Sequence, residues 1–249
     1  MRLSTILQTS DPLVFAHRGA SGSCFENTMS AFKEALRQGA DGIELDVQLT
    51  KDGVPVILHD PDLYRVAGIG KPISSFYFSE LKNVNVGRKF LRSFTGHQIP
   101  TLREVVSFCE MNGLALNIEL KETVSERPEY LRDILDIALL LDNIHLSSFD
   151  PEILELAKKL EPSIETALLV KKKTTDWENL LDYSYADGFH FHKRLFKEPF
   201  ISQLSASGKL LRMYGVTGKE IFVQEPPPFI HGWITDFPGR FKNEKKDIG

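Results

Sequence analysis

The sequence predicts an α/β protein built as a TIM (β/α)8 barrel. Three observations carry that expectation: eight short apolar runs along 249 residues, amphipathic stretches between them, and ionisable residues gathered where several runs end. The runs are Leu13–Ala16, Asp41–Leu49, Leu114–Leu120, Asn143–Ser147, Glu165–Val170, Asp187–Phe191, Lys209–Tyr214 and Gly232–Thr235. They are rich in β-branched or bulky apolar residues and lack clean polar alternation, as strands covered on both faces do. Strand-then-helix order implies a parallel sheet, and eight such units are enough to close one. A doubly wound open sheet is the structural alternative.

The helix-like stretches are Thr28–Gln38, Thr101–Asn112, Arg127–Leu141 and Pro151–Leu160. Thr101 precedes Leu-Arg-Glu as an N-cap, and Asp150 caps a helix with Pro151 at its first position. Lys51-Asp52-Gly53 reads as a hairpin turn leading into an extra strand, Val54–Leu58, that ends at His59. Residues 61–100 break the rhythm: glycines and aromatics dominate, with one short helix candidate near Ser79–Asn83. A stretch of that length without a barrel repeat points to a functional insertion or lid after the second strand. The lysine-rich tail, 241–249, has no apolar periodicity and is expected to be disordered. The whole of 1–249 is read as one catalytic barrel domain.

Composition narrows the function. The net charge of −4 argues against a general nucleic-acid binder, so any phosphate recognition must be local. Cys24 and Cys109 make neither a disulfide framework nor metal-ligand spacing, and suit a reducing compartment. No apolar run reaches the roughly 18 residues of a membrane span, and the first 20 residues lack a signal-peptide core. A cytoplasmic location is expected. No G-x-S-x-G, Walker-type, G-x-G-x-x-G or H-E-x-x-H motif is present, which sets aside the common hydrolase, NTPase and dinucleotide readings.

In a barrel the strand C-termini and the loops after them form the active face. His17 and Arg18 end the first strand; Glu44 and Asp46, two apart, share one side of the second; His59 ends the hairpin strand; Glu119 and Lys121 repeat the period of two. Three converging buried carboxylates repel unless a cation or protons neutralise them. An all-oxygen set without cysteine suits a hard divalent ion, Mg2+ or Ca2+ with Mn2+ also compatible, better than zinc. The bland alternative pairs Glu44 with Lys121 and Asp46 with Arg18 as structural salt bridges. Histidine titrates near neutrality, so His17 and His59 suit an acid–base pair. Arg18 offers a fork, and Lys121 a point charge, for phosphate oxygens. The residues alone thus predict metal-assisted hydrolysis of a phosphate ester. His190 and His192 share a strand face but have no acid nearby and are read as structural. Ser147-Ser148 suits either a phosphate contact or a helix cap.

These motifs resemble the glycerophosphodiester phosphodiesterase family. The resemblance rests on His17-Arg18-Gly19, Glu26-Asn27-Thr28, Glu44-Leu45-Asp46-Val47, Thr50-Lys51-Asp52-Gly53, His59-Asp60, Ile118-Glu119-Leu120-Lys121, Ser147-Ser148-Phe149-Asp150 and Thr235-Asp236-Phe237-Pro238, in the family's order. It implies a TIM barrel, with 61–100 as the family's insertion. It also implies a divalent ion on Glu44, Asp46 and Glu119, acid–base work by His17 and His59, and cleavage of small glycerophosphodiesters to sn-glycerol 3-phosphate and an alcohol. The chain departs from the family pattern in three places. Cys24-Phe25 stands where proline usually precedes Glu-Asn-Thr, Tyr214 stands where tryptophan walls the pocket, and Glu225–Pro228 makes the seventh unit atypical. Tyr214 is therefore assigned to substrate binding, and head-group preference is the property these departures touch. Two other functions fit the same barrel: a lysolipid phosphodiesterase of the phospholipase D or sphingomyelinase D kind, and a non-catalytic phosphodiester binder. What separates the lipase is whether Phe76, Tyr77, Phe78, Phe90 and Phe94 pack on the barrel or grip an acyl chain.

Overall fold

Strand β1 (Leu13–His17) lies between the last strand of the chain and the second, and that double pairing closes the sheet. The computed structural model describes residues 11–89 and 96–241. Its barrel strands are β1, β2 (Gly42–Leu49), β6 (Ala115–Leu120), β7 (Ile144–Ser148), β8 (Glu165–Leu169), β9 (Gly188–His192), β10 (Leu210–Val216) and β11 (Gly232–Thr235). Each pairs in parallel with its neighbours, in the order β1-β11-β10-β9-β8-β7-β6-β2. The predicted TIM (β/α)8 barrel is what forms, with strand boundaries shifted by one or two residues.

Period-two geometry sorts the strand residues. In β2, Ile43, Leu45 and Val47 join the core beneath the helices, while Glu44 and Asp46 fall on the opposite, axial side. Helix α1 (Met29–Arg37) starts where Thr28 accepts a bond from Ala31 N. Helix α4 (Leu102–Asn112) has the full capping box of Thr101 and Glu104, and Gly113 ends it in the left-handed region. Its Leu102, Val105, Val106 and Cys109 are fully buried on the sheet, each contributing roughly 1.5–3 kcal/mol for the larger side chains. Helix α7 (Pro151–Leu160) starts at Asp150 as expected.

Polar groups also lie near the starts of the barrel strands. Arg212 is 2.6 Å from Glu165, and Phe15, His145 and His190 meet edge-on at 5.2 and 5.4 Å. Among the described residues, neither nitrogen of His190 has a hydrogen-bond partner, and burial drives both imidazoles well below their ordinary pKa.

Strand β3 (Pro55–Ile57) lies outside the barrel and pairs antiparallel with β2. The two partners of β2 on this edge divide it: Gly42–Glu44 pair with β1, and Val47–Leu49 pair with β3. The chain then forms β4 (Asp62–Leu63), α2 (Tyr64–Ala67), β5 (Ile69–Pro72) and α3 (Phe78–Leu81). These enclose a second small core of Val56, Leu58, Leu63, Val66, Ile73, Leu81, Val86 and Ile99, against which Phe76 and Phe78 pack. Tyr77 is half exposed, with Lys51 Nζ 4.5 Å above its ring. Phe90 and Phe94 lie outside the described residues, as do residues 1–10 and 242–249, where the tail expectation falls.

Two helix expectations need correction. Arg127–Leu141 is not continuous: a 3-10 turn, Pro128–Tyr130, opened by proline at its first position, precedes the α-helix Leu131–Ala138. Helix α2 escaped sequence reading because one turn is too short for periodicity; Tyr64 N donates to Asp62 Oδ1 at 2.8 Å, and Gly68, in the left-handed region, stops the helix. Among the described residues, no helix is long and apolar enough to cross a membrane.

Candidate active site

The backbone leaves β1 in an unusual conformation that starts the site. Arg18 has φ +57°, and its amide donates to both Glu44 O at 2.8 Å and Glu44 Oε2 at 3.0 Å. Gly19, at φ +79°, lets α1 approach so closely that a Cβ would stand 2.7 Å from the Ala31 backbone. The loop returns through Asn27, also left-handed at φ +55°, whose Nδ2 donates to Asp46 Oδ2 at 2.8 Å. Two non-glycine residues in this region, flanking one carboxylate, mark strain that the surrounding bonds hold in place.

The three acids converge. Glu44, Asp46 and Glu119 are all buried, and one ligand oxygen from each lies within 4.8 Å of the others. Asp46 Oδ1 has no hydrogen-bond partner among the described residues. Burial drives the Glu44 carboxyl up to about 8; His17 opposes the shift, and Asp46 and Glu119 add to it. Burial and Asp46 also raise Glu119 against the pull of Lys121. Asp46 is held low: burial opposes ionisation, but Arg18, Lys121, His59 and the Asn27 bond outweigh it.

The cations are arranged otherwise than the simple salt-bridge alternative holds. Lys121 Nζ sits 2.8 Å from Glu119 Oε1 and 3.7 Å from Asp46 Oδ1, not on Glu44. Arg18 Nε is 3.0 Å from Asp46 Oδ2, and its Nη1 donates to Glu26 Oε1 at 3.0 Å. Two cations therefore serve Asp46 and Glu119, and Glu44 is the acid left over. That excess charge, the orphaned Asp46 oxygen and the all-oxygen donor set fit a hard metal ion. The triad is able to hold one.

Each histidine is anchored by a carboxylate. His17 Nδ1 is 2.7 Å from Asp236 Oδ1, just past β11, and Ser21 Oγ donates to the same oxygen at 2.9 Å. His59 Nδ1 is 2.7 Å from Asp60 Oδ1. An ionised carboxylate only accepts, so Nδ1 carries the proton in both rings and Nε2 is left for exchange. The Nε2 of His17 lies 3.9 Å from Glu44 Oε2. Burial works to lower the His17 pKa, but Glu44 and the Asp236 bond outweigh it and raise it.

Residues 17–240 match the model of the glycerophosphoryl diester phosphodiesterase family. The chain belongs to that family. It is 34% identical over 234 residues to a glycerophosphodiester phosphodiesterase of Bacillus altitudinis, covering 91% of this chain and 95% of that one. A second relative of that name, from Caldanaerobacter subterraneus subsp. tengcongensis, is 34% identical over 230 residues, covering 91% and 94%. Among solved structures, an Oleispira antarctica phosphodiesterase in complex with the product sn-glycerol-3-phosphate aligns with TM-score 0.82, at 27% identity over 94% of this chain and 96% of that one. The Thermotoga maritima glycerophosphodiester phosphodiesterase aligns with TM-score 0.76, at 29% identity over 92% and 96%. The expected membership in this family of phosphodiester hydrolases, read from motifs, thus holds.

The structure places His17 and Arg18 at and just after the end of β1, Glu44 and Asp46 within β2, Glu119 and Lys121 at the end of β6, and His59 in the loop after β3, close enough for its charge to act on both Asp46 and Glu119. Tyr214, on β10, stands near enough to Glu119 for that carboxylate, after burial itself, to raise its phenol pKa, and its ring meets His192 edge-on at 5.2 Å. Ser147 and Ser148 are committed elsewhere: Ser147 Oγ donates to Asn117, and Ser148 Oγ donates to Leu120 O. Sequence reasoning gave no role to Asp236, Asp60, Glu26, Asn27 or Arg65. Four of these lie inside the motifs quoted above, so adjacency was the available signal. Arg65 offered none.

Proposed function

We propose that this enzyme hydrolyses small glycerophosphodiesters to sn-glycerol 3-phosphate and an alcohol, with His17 and His59 as the acid–base pair. The observation that carries the reading is the pair of carboxylate-anchored imidazoles beside three buried acids of one cluster. Glu44, Asp46 and Glu119 would hold a divalent ion, Mg2+ or Ca2+ with Mn2+ also compatible, which when bound supplies positive charge to the phosphate oxygens.

The chain's own residues do the rest. Arg18, whose fork is fixed by Asp46 and Glu26, and Lys121, fixed by Glu119, face the phosphodiester as preorganised donors that need not rearrange during reaction. One Nε2 takes the proton from the attacking oxygen while the other gives a proton to the departing alkoxide. Asp236 and Asp60 stabilise the positive ring of whichever histidine has gained the proton. Tyr214 would wall the pocket on the β10 side. Residues 1–249 would act as one catalytic domain, with 61–100 as a wall of the site. The packing of Phe76 and Phe78 on the small second core supports a small substrate over an acyl chain. A cytoplasmic location goes with this reading, supported by two free cysteines, one buried with its thiol pushed up to about 12 by burial.

A coupled assay for glycerol 3-phosphate release from glycerophosphocholine, run beside lysophosphatidylcholine, tests the proposal. Glycerol 3-phosphate is the expected product, and His17→Ala and His59→Ala should each lower turnover by about 10²–10⁴-fold. Cleavage of the lysolipid alone would replace the reading with the lipase one. Near-native turnover in either variant would remove that histidine from the chemistry.

A further inference from the structure

Arg65 lies on α2, in the segment hung outside the barrel, and is about half exposed. It makes four hydrogen bonds: Nε to Asp60 Oδ2 at 2.6 Å, Nη2 to Asp60 Oδ1 at 3.2 Å, Nη1 to Glu26 Oε2 at 2.9 Å, and Nη2 to Glu26 Oε1 at 2.8 Å. The single nitrogen Nη2 therefore touches two oxygens with other duties. Asp60 Oδ1 is the one that holds His59 Nδ1, and Glu26 Oε1 is the one that holds Arg18 Nη1. Two carboxylates facing one another would repel without a cation between them, and only a planar fork can engage both along two edges.

We propose that Arg65 is a positioning residue that sets His59 and Arg18 in a common geometry by bridging Asp60 to Glu26. It touches no reacting atom. It fixes the acceptor oxygens that aim the imidazole of one loop and the guanidinium of another, across the seam between β1 and β3. The inference rests on the roles proposed above for His59 and Arg18.

A purely structural arginine would affect stability and leave the kinetic constants of the folded fraction alone. A bridging one would show in both constants: kcat through His59 and KM through Arg18. In Arg65→Ala, the folded enzyme should lose about 10–10²-fold in kcat/KM, divided between a lower kcat and a higher KM, in line with about 1 Å of misplacement. Arg65→Lys keeps the charge but has no fork, and should recover thermal stability while recovering less than a tenth of the lost kcat/KM. Because the site is half exposed, millimolar guanidinium added to Arg65→Ala should restore part of kcat and leave the wild type unchanged. In double-variant cycles, Arg65→Ala should be strongly non-additive with Glu26→Gln and with Asp60→Asn.

Three results would overturn the inference: kcat/KM of Arg65→Ala within threefold of wild type, full kinetic recovery in Arg65→Lys, or additive cycles with both acids. Wild-type enzyme that releases no glycerol 3-phosphate would sink the proposed function and this inference with it. Active wild type with an indifferent Arg65→Ala would sink this inference alone.

Discussion

Replacing Glu44 by glutamine should make the metal-free protein more stable while removing its activity. Glu44 is the acid to which neither Arg18 nor Lys121 is directly paired, and its carboxyl is raised from 4.5 to about 8 by burial, with Asp46 and Glu119 adding to the shift against the pull of His17 and Arg18. An acid whose folded pKa lies above its unfolded one binds its proton more tightly when folded. It costs stability from about pH 4.5 upward, and the cost levels off near pH 8. At about 1.36 kcal/mol per pKa unit, the penalty at pH 7 comes to about 3 kcal/mol. Glutamine removes that term and keeps the Oε acceptor for the Arg18 amide. The gain is expected to be about 2–4 kcal/mol, or roughly 5–15 °C in Tm for a chain of this size. Thermal melts in chelator across pH 5–8 would measure it, with the difference between the proteins growing as pH rises. Adding Mg2+ or Ca2+ should raise the Tm of the wild type much more than that of the variant. A Glu44→Gln protein less stable than wild type in chelator at pH 7–8 would refute the electrostatic account of this cluster.

Three further outcomes are expected. Asp236→Asn should lower kcat by about 10–10³-fold with little change in KM, since it removes the charge that stabilises the protonated His17 ring but leaves an acceptor in place; an unchanged kcat would remove Asp236 from the acid–base step. The buried imidazoles of His145 and His190 have depressed pKa values through burial, aided by Arg212, so their neutral forms stabilise the fold above about pH 6.5 and that contribution is lost as pH falls. Unfolding free energy from urea titrations should drop by up to about 2.7 kcal/mol per pH unit between pH 6 and 5, and His190→Leu should roughly halve that slope. Gly19→Ala forces a Cβ against Ala31 at a left-handed φ, and should cost about 2 kcal/mol or more and abolish turnover; a variant with native melting and kinetics would show that the loop relaxes freely.

The barrel was legible because most of its short strands are buried on both faces, so the apolar runs at Asp41–Leu49 or Asp187–Phe191 stand out against their flanks. The acid cluster was legible for a related reason: period two places Glu44 with Asp46 and Glu119 with Lys121 whatever the rest of the chain does. What the sequence hides is pairing across the closure. His17 and Asp236 are 219 residues apart and meet only because β11 returns to the side of β1. Glu26 and Arg65 are 39 apart and belong to different loops, so neither a helix period nor a strand period joins them. Lys121 was read as a partner for Glu44 in the salt-bridge alternative, but β2–β6 register sets Glu119 opposite Asp46, and the lysine follows its own strand. Loop chemistry of this kind depends on where strands end in space, which apolar patterning does not encode.

The divided edge of β2 has a consequence for how such an enzyme can change over time. The lower half of that edge is spoken for by the barrel, and the upper half carries β3 and everything hung from it. Insertions or deletions between β3 and α4 can therefore accumulate without disturbing the register of the eight-stranded ring or the three acids it carries. What they can disturb is the distance between His59 and those acids. On the proposed mechanism, lineages that lengthen or trim this excursion would retune proton transfer by His59 while inheriting the three acids intact.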